Sequence, residues 1–139
     1  FNMTNKILLE SDFFRVEHDP TRKLVIMRRS ARSLSPRDHA SALELDEAIN
    51  VLISVLRTVR GQRFLVDVRR APGNNDPTVE QRVQRFRRRL FELFPVSATI
   101  VATATGRLQL LRMARERGDA SGVFLDEEEA IQSLLARPL

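Results

Sequence analysis

Hydrophobic and polar positions along the chain follow two periods, one typical of β-strands and one typical of α-helices. Alternation over residues 13–18 places Phe14 and Val16 on one face, and short apolar runs mark the other predicted strands. The predicted strands are residues 13–18, 23–28, 63–69, 98–104 and 122–125. Only a short polar turn separates the first two, so the pattern predicts that they form a β-hairpin.

Four further segments carry apolar residues at the three- and four-residue spacing of amphipathic helices. They cover residues 35–60, 77–94, 106–117 and a last segment that begins at residue 126. Ser35, Asp76, Thr105 and Asp126 are the predicted N-caps, and Gly61 is predicted to end the first helix. The longest helix is expected to bury one stripe, formed by Leu45, Ile49, Leu52, Leu56 and Val59.

The order of these elements, β-β-α-β-α-β-α-β-α, predicts the fold class. Right-handed crossovers build an α/β fold with a mostly parallel five-stranded sheet and an antiparallel N-terminal strand. The length suits a single domain, which we place at residues 13–139 after an N-terminal tail at residues 1–12. Phe1 and Asn2 precede Met3, and we interpret these two residues as a remnant of the expression vector.

Composition narrows the chemistry that the chain can perform. It contains no cysteine, which excludes disulfides, thiolate catalysis and cysteine-based zinc sites. No apolar run reaches the roughly 20 residues that cross a bilayer, so we expect no membrane partner and a cytoplasmic location. The net charge is +5, and every cation except Lys6 and Lys23 is arginine. Arginine suits forked recognition of carboxylates and phosphates, although a GC-rich genome also accounts for the bias.

The apolar and capping pattern also resembles a known family. Residues 13–19 leading into 23–26, residues 64–69, and residues 124–131 resemble the SpoIIAA-like, or STAS/SEC14-like, branch of the STAS superfamily. The resemblance covers residues 13–136 and rests mainly on the order of the elements. It implies a STAS-like fold and a non-catalytic bacterial module for regulation or protein interaction.

Classical STAS members carry a phosphorylatable serine or threonine at the start of the helix that follows their third strand. The matching stretch here, residues 70–80, has no serine, and Thr78 is its only hydroxyl. We interpret Thr78 as an ordinary first-turn threonine. The phosphorylation switch that the resemblance implies is therefore in doubt for this chain.

An arginine-rich helix supplies the first candidate surface. At helical spacing, Arg82, Arg85 and Arg89 form a stripe beside the apolar face, and two arginines leave the preceding strand. A basic surface of this kind binds phosphates or an acidic protein, but it is also typical of a solvated face whose arginine stems cover the core. The predicted anion or partner surface comprises Arg69, Arg70, Asn74, Asn75, Thr78, Arg82, Arg85 and Arg89.

A second candidate site lies at another turn from strand to helix, formed by Thr105, Gly106 and Arg107. Ligands of open α/β sheets sit at such carboxyl ends of strands, although a lone glycine is a weak phosphate signal.

Residues suited to catalysis are few. His18 and His39 have no metal-ligand spacing around them, and Asp67 stands alone inside a strand. Ser30, Ser33 and Ser35 are interpreted as loop and cap residues. We therefore predict no enzyme, no cofactor and no metal.

A regulatory or protein-interaction module is the leading hypothesis, with an unidentified protein partner. The alternative is a protein that binds a small anionic or lipid-like ligand between its helices and its sheet. Nucleic acid is disfavoured because tyrosine and tryptophan are absent, so stacking would fall to core phenylalanines. The broad apolar stripe of the long helix also favours a homodimer.

Overall fold

The computed structural model of the chain describes residues 5–33, 39–72, 77–117 and 122–139. The predicted caps Ser35 and Asp76 and the candidate site residues Asn74 and Asn75 lie outside the described residues, as do the side chains of His39 and Thr78. In chain order the elements are β1 (Lys6–Glu10), β2 (Phe14–Asp19), β3 (Leu24–Arg29), α1 (His39–Arg57), β4 (Arg63–Asp67), α2 (Pro77–Leu93), β5 (Ser97–Ile100), α3 (Ala104–Arg117), β6 (Gly122–Phe124) and α4 (Glu127–Leu135).

The six strands form one mixed sheet in the order β1-β2-β3-β4-β5-β6. The first three strands pair antiparallel, and β3 to β6 are parallel. The predicted α/β class and the opening hairpin, β2 with β3, are confirmed. The STAS-like topology stays a prediction.

The predicted count of five strands is wrong. The sixth strand is β1, which lies in the segment predicted as an N-terminal tail and pairs with β2, Lys6 opposite His18. Its register shifts between Ile7 and Leu9, and such a bulge breaks the alternation by which a strand is recognised in a sequence.

Two packed layers cover the sheet. On one face, α1 and α2 bury side chains of β2, β3 and β4 in a core that includes the stacked rings of Phe64 and Phe94, 4.2 Å apart. On the other face, α4 packs against β4, β5 and β6. The predicted stripe of α1 is buried at Leu45, Leu52 and Leu56. The apolar residues that α1 leaves exposed include Leu43 and Val51, and the homodimer stays a prediction.

The cap of α3 differs from the prediction at Thr105. The helix begins earlier, at Ala104, because the hydroxyl of Thr103 accepts a hydrogen bond from the Gly106 N–H at 3.0 Å. The predicted cap of α4 is confirmed, since Asp126 accepts a hydrogen bond from the Glu129 N–H at 3.0 Å. Among the described residues, no helix combines the length and apolar character needed to cross a bilayer.

Candidate functional site

A group of charges with two buried carboxylates occupies the sheet face on which α4 packs, at the carboxyl ends of β3 and β4. We call it the Arg28 cluster; its members are Glu17, Arg28, Asp67, Arg69 and Glu127. The Arg28 guanidinium lies at its centre: its Nε donates to Glu17, and its Nη1 donates to Asp67 at 2.8 Å and to Glu127 at 2.5 Å. One arginine therefore binds three carboxylates from three different elements.

Strand register explains how this cluster forms. Arg28 and Asp67 are direct partners across the parallel pair β3–β4, so their side chains leave the sheet on the same face. Glu17 pairs with Ile26 and is therefore a diagonal neighbour of Arg28. Glu127 is supplied by the first turn of α4. The cluster fastens the start of α4 to the sheet.

Asp67, the single carboxylate that the sequence marked as unusual, is fully engaged here. It is only 6% exposed and accepts hydrogen bonds from the backbone N–H and the guanidinium of Arg69 as well as from Arg28. Burial opposes its ionisation, but the hydrogen bonds from Arg69 and Arg28 outweigh burial and hold the pKa of Asp67 below its ordinary value. An ionised carboxylate bound in this way is a structural anion and a poor general base.

Asp67 makes the stability of the fold sensitive to acid. Because its pKa is lower in the folded state than in the unfolded state, its contribution is complete above the ordinary aspartate pKa and is lost as the pH falls through the folded value. We expect Asp67→Asn to be less stable than the wild type at neutral pH, with the difference narrowing below about pH 4. Urea unfolding at several pH values measures this, with the exposed Glu47→Gln as control. A constant difference at all pH values would contradict the prediction.

Three predicted site residues line a groove between α1 and α2. Arg82, Arg85 and Arg89 face Asp46 and Asn50 of α1 across a cavity of about 500 Å³. The Arg82 Nη1 is buried and has no hydrogen-bond partner. Three guanidinium groups and one carboxylate leave this α1–α2 groove with an excess of positive charge.

The predicted basic surface is thus divided between different parts of the molecule. Arg82, Arg85 and Arg89 lie together in the α1–α2 groove, whereas Arg69 belongs to the Arg28 cluster and pairs with Asp67 and Glu127. Arg70 lines a third location. The sequence could place the stripe on one helix but could not show that the strand arginines already have carboxylate partners.

That third location is a cleft of about 420 Å³ at the end of β3 and the start of β2. We call it the β3-end cleft. Its charged lining includes Arg15, Arg28, Arg29, Arg70, Glu17 and Asp67. Sequence reasoning missed Arg28 and Arg29, because two arginines at the end of a strand are normally solvated and no local signal marks Arg28 as bound by carboxylates or Arg29 as buried.

Two residues of the second predicted loop site, Gly106 and Arg107, make hydrogen bonds within the fold. The Arg107 Nε donates to the carbonyl oxygen of Val123 at 3.0 Å, which ties α3 to the edge strand β6. The Gly106 N–H is already bound to Thr103. Thr105 is exposed on the first turn of α3.

Two of the remaining candidates for chemistry, His18 and Ser30, make hydrogen bonds within the fold. His18 shares a hydrogen bond of 2.8 Å with Gln62, and the hydroxyl of Ser30 donates to the carbonyl oxygen of Asp12. Over the ranges that the structure describes, no group of three or more histidine, aspartate or glutamate side chains is arranged to hold a metal ion.

Comparison of the chain with protein-family models, with curated proteins and with solved structures finds no match. The resemblance to STAS domains is consequently an expectation from the sequence pattern, and function is argued from the residues and their geometry.

Proposed function

We propose that the protein is a non-catalytic binding module that recognises an acidic segment of a partner protein in the α1–α2 groove. The observation that carries this proposal is the buried, unpartnered Nη1 of Arg82, next to two further arginines on the same helix face. A buried donor without an acceptor costs free energy, and a carboxylate from a partner would supply the acceptor. The regulatory role implied by the STAS resemblance is compatible with such a module.

Charge and shape favour a carboxylate-bearing ligand. Among the described residues that line the groove, three are arginines and one, Asp46, is a carboxylate, so the groove attracts anions. Guanidinium groups bind carboxylates through two parallel hydrogen bonds, and Arg82, Arg85 and Arg89 repeat at the three- and four-residue spacing of one helix face. A cavity of about 500 Å³ accommodates a few side chains, which suits a short acidic segment.

The same groove is poorly suited to nucleic acid. Single-stranded nucleic acid binds by stacking its bases on accessible aromatic rings. The aromatic residue of the groove, Phe86, is only 6% exposed and packs against Phe14 in the core. A base therefore has no ring to stack on at this position.

The test uses a fluorescently labelled glutamate-rich peptide and its glutamine counterpart, with binding followed by anisotropy. We expect the wild type to bind the glutamate peptide with an affinity that falls as salt rises. Arg85→Glu combined with Arg89→Glu should weaken binding by about tenfold or more, because each substitution removes a charge-assisted pair and adds repulsion. Both residues are exposed, so the fold should tolerate the changes.

Arg88→Glu is the matched control. Arg88 lies on the same helix and is exposed, and it is not among the residues that line the groove. We expect this variant to bind the glutamate peptide nearly as well as the wild type. The control reverses one charge and the double variant reverses two, so a loss in the control about half as large on a logarithmic scale would reduce the effect to net charge. Equal binding of both peptides would contradict recognition of carboxylates.

A further inference from the structure

Arg29, the last residue of β3, is a buried cation that has no carboxylate partner among the described residues. It is 9% exposed, and its Nη2 donates to the carbonyl oxygen of Arg32 at 3.1 Å. Its Nε is buried with no hydrogen-bond partner. Within the part of the chain that the structure describes, no carboxylate pairs with Arg29, and its other neighbour is the ring of Phe14, 5.9 Å from the guanidinium carbon.

A buried charge of this kind lowers the stability of the folded state. Burial lowers the pKa of Arg29 to about 10, because the charge has been removed from water. Buried charges in proteins are normally paired with an opposite charge. An anion bound beside Arg29 would supply the missing partner.

The other arginines of the β3-end cleft differ in whether a carboxylate already neutralises their charge. Arg28 is already bound by the three carboxylates of its cluster. The Arg15 Nη1 lies 3.7 Å from the Glu10 Oε1, and the Arg15 Nε lies 4.0 Å from the Glu17 Oε2. Of the four arginines that line the β3-end cleft, Arg29 and Arg70 are the two without a carboxylate partner among the described residues.

We propose that the β3-end cleft binds an oxyanion group, a phosphate or a carboxylate, and that Arg29 is the residue that anchors it. The site lies where the parallel strands β3 and β4 end, which is the edge at which open α/β sheets bind their ligands. A cavity of about 420 Å³ accommodates a small molecule. Arg29 and Arg70 together match a group that carries two negative charges. This proposal is independent of the α1–α2 groove.

The experiment is a heteronuclear NMR titration of the Nε–H groups of the arginine side chains, at constant ionic strength. Inorganic phosphate is the probe in one arm and succinate in the other, so that the two kinds of oxyanion are distinguished. We expect the Nε–H resonance of Arg29 to shift and saturate with at least one probe. In Arg29→Met the affinity for that probe, followed through backbone resonances near the cleft, should fall by about tenfold or more, because a charged hydrogen bond is lost.

Two further variants make the result specific. Arg29→Lys keeps the positive charge but lacks the forked guanidinium, so we expect an intermediate loss of affinity. Arg85→Met changes only the α1–α2 groove and should leave the titration unchanged. An Arg29 Nε–H resonance that does not respond to either probe would overturn the proposal, and so would unchanged affinity in both Arg29 variants.

Discussion

Replacing Arg28 by methionine is expected to lower the free energy of unfolding by about 3 to 5 kcal/mol, the range measured when one partner of a buried ion pair is removed. The substitution leaves Glu17 and Asp67, which are 7% and 6% exposed, without the cation at the centre of their cluster. Methionine retains much of the aliphatic volume of the arginine stem, so the loss reports on charge and hydrogen bonding more than on packing.

Chemical unfolding in urea at neutral pH, followed by circular dichroism, measures this effect. Arg88→Met is the control, because Arg88 is exposed and should change stability by less than about 0.5 kcal/mol. The loss should also shrink under acid conditions, since the pKa of Asp67 is lowered in the folded state and a protonated Asp67 no longer needs a cation. A change of less than about 1 kcal/mol at neutral pH would contradict the central role of Arg28 in the cluster.

The parts of the fold that the sequence predicted correctly are those with a periodic signal. The buried stripes of α1 and α4 follow helical spacing, and the cap at Asp126 precedes three glutamates that favour a helix start. The strand β1 was missed because its bulge interrupts alternation and because its residues are only partly buried. Local patterns predict local elements, and an irregular edge strand has almost no local pattern.

The candidate sites also differ in how far a local sequence pattern could predict them. The stripe formed by Arg82, Arg85 and Arg89 is visible in the sequence because one helix supplies all three residues. Asp46 and Asn50 of α1, which face this stripe, were not predicted, since the pairing of two helices is a tertiary feature. The Arg28 cluster joins four elements that are far apart in the sequence, and each member alone resembles an ordinary charged residue at the end of an element.

Arg28 and Arg29 illustrate why residue type does not determine role. They are consecutive in β3, so strand alternation sends their side chains to opposite faces of the sheet. Arg28 meets three carboxylates, which raise its pKa despite burial, whereas Arg29 meets Phe14 and a backbone carbonyl, and burial lowers its pKa. The sequence predicts the alternation, but only the assembled sheet shows which face carries the acids.

Arg29→Met is therefore expected to change the stability in the opposite direction to Arg28→Met. It should raise the free energy of unfolding by about 1 to 3 kcal/mol, because an apolar side chain replaces a buried charge that has no carboxylate partner among the described residues. The loss of the contact with the Phe14 ring offsets part of this gain, by roughly 0.5 to 1 kcal/mol. Unfolding in urea without phosphate or carboxylate buffers measures the intrinsic effect.

The pH dependence of the stability of Arg29→Met identifies why this variant is more stable than the wild type. The pKa of Arg29 is lower in the folded state than in the unfolded state, so the penalty for its charge is complete below about pH 10 and is relieved as the pH rises through that value. The advantage of Arg29→Met over the wild type should consequently be largest at neutral pH and should shrink above about pH 10. A variant that is less stable than the wild type at neutral pH, in buffer free of oxyanions, would mean that Arg29 is compensated within the fold. Arg29 would then have no need of an anion as its partner. The stability measurement would therefore argue against the anion site, independently of the NMR titration.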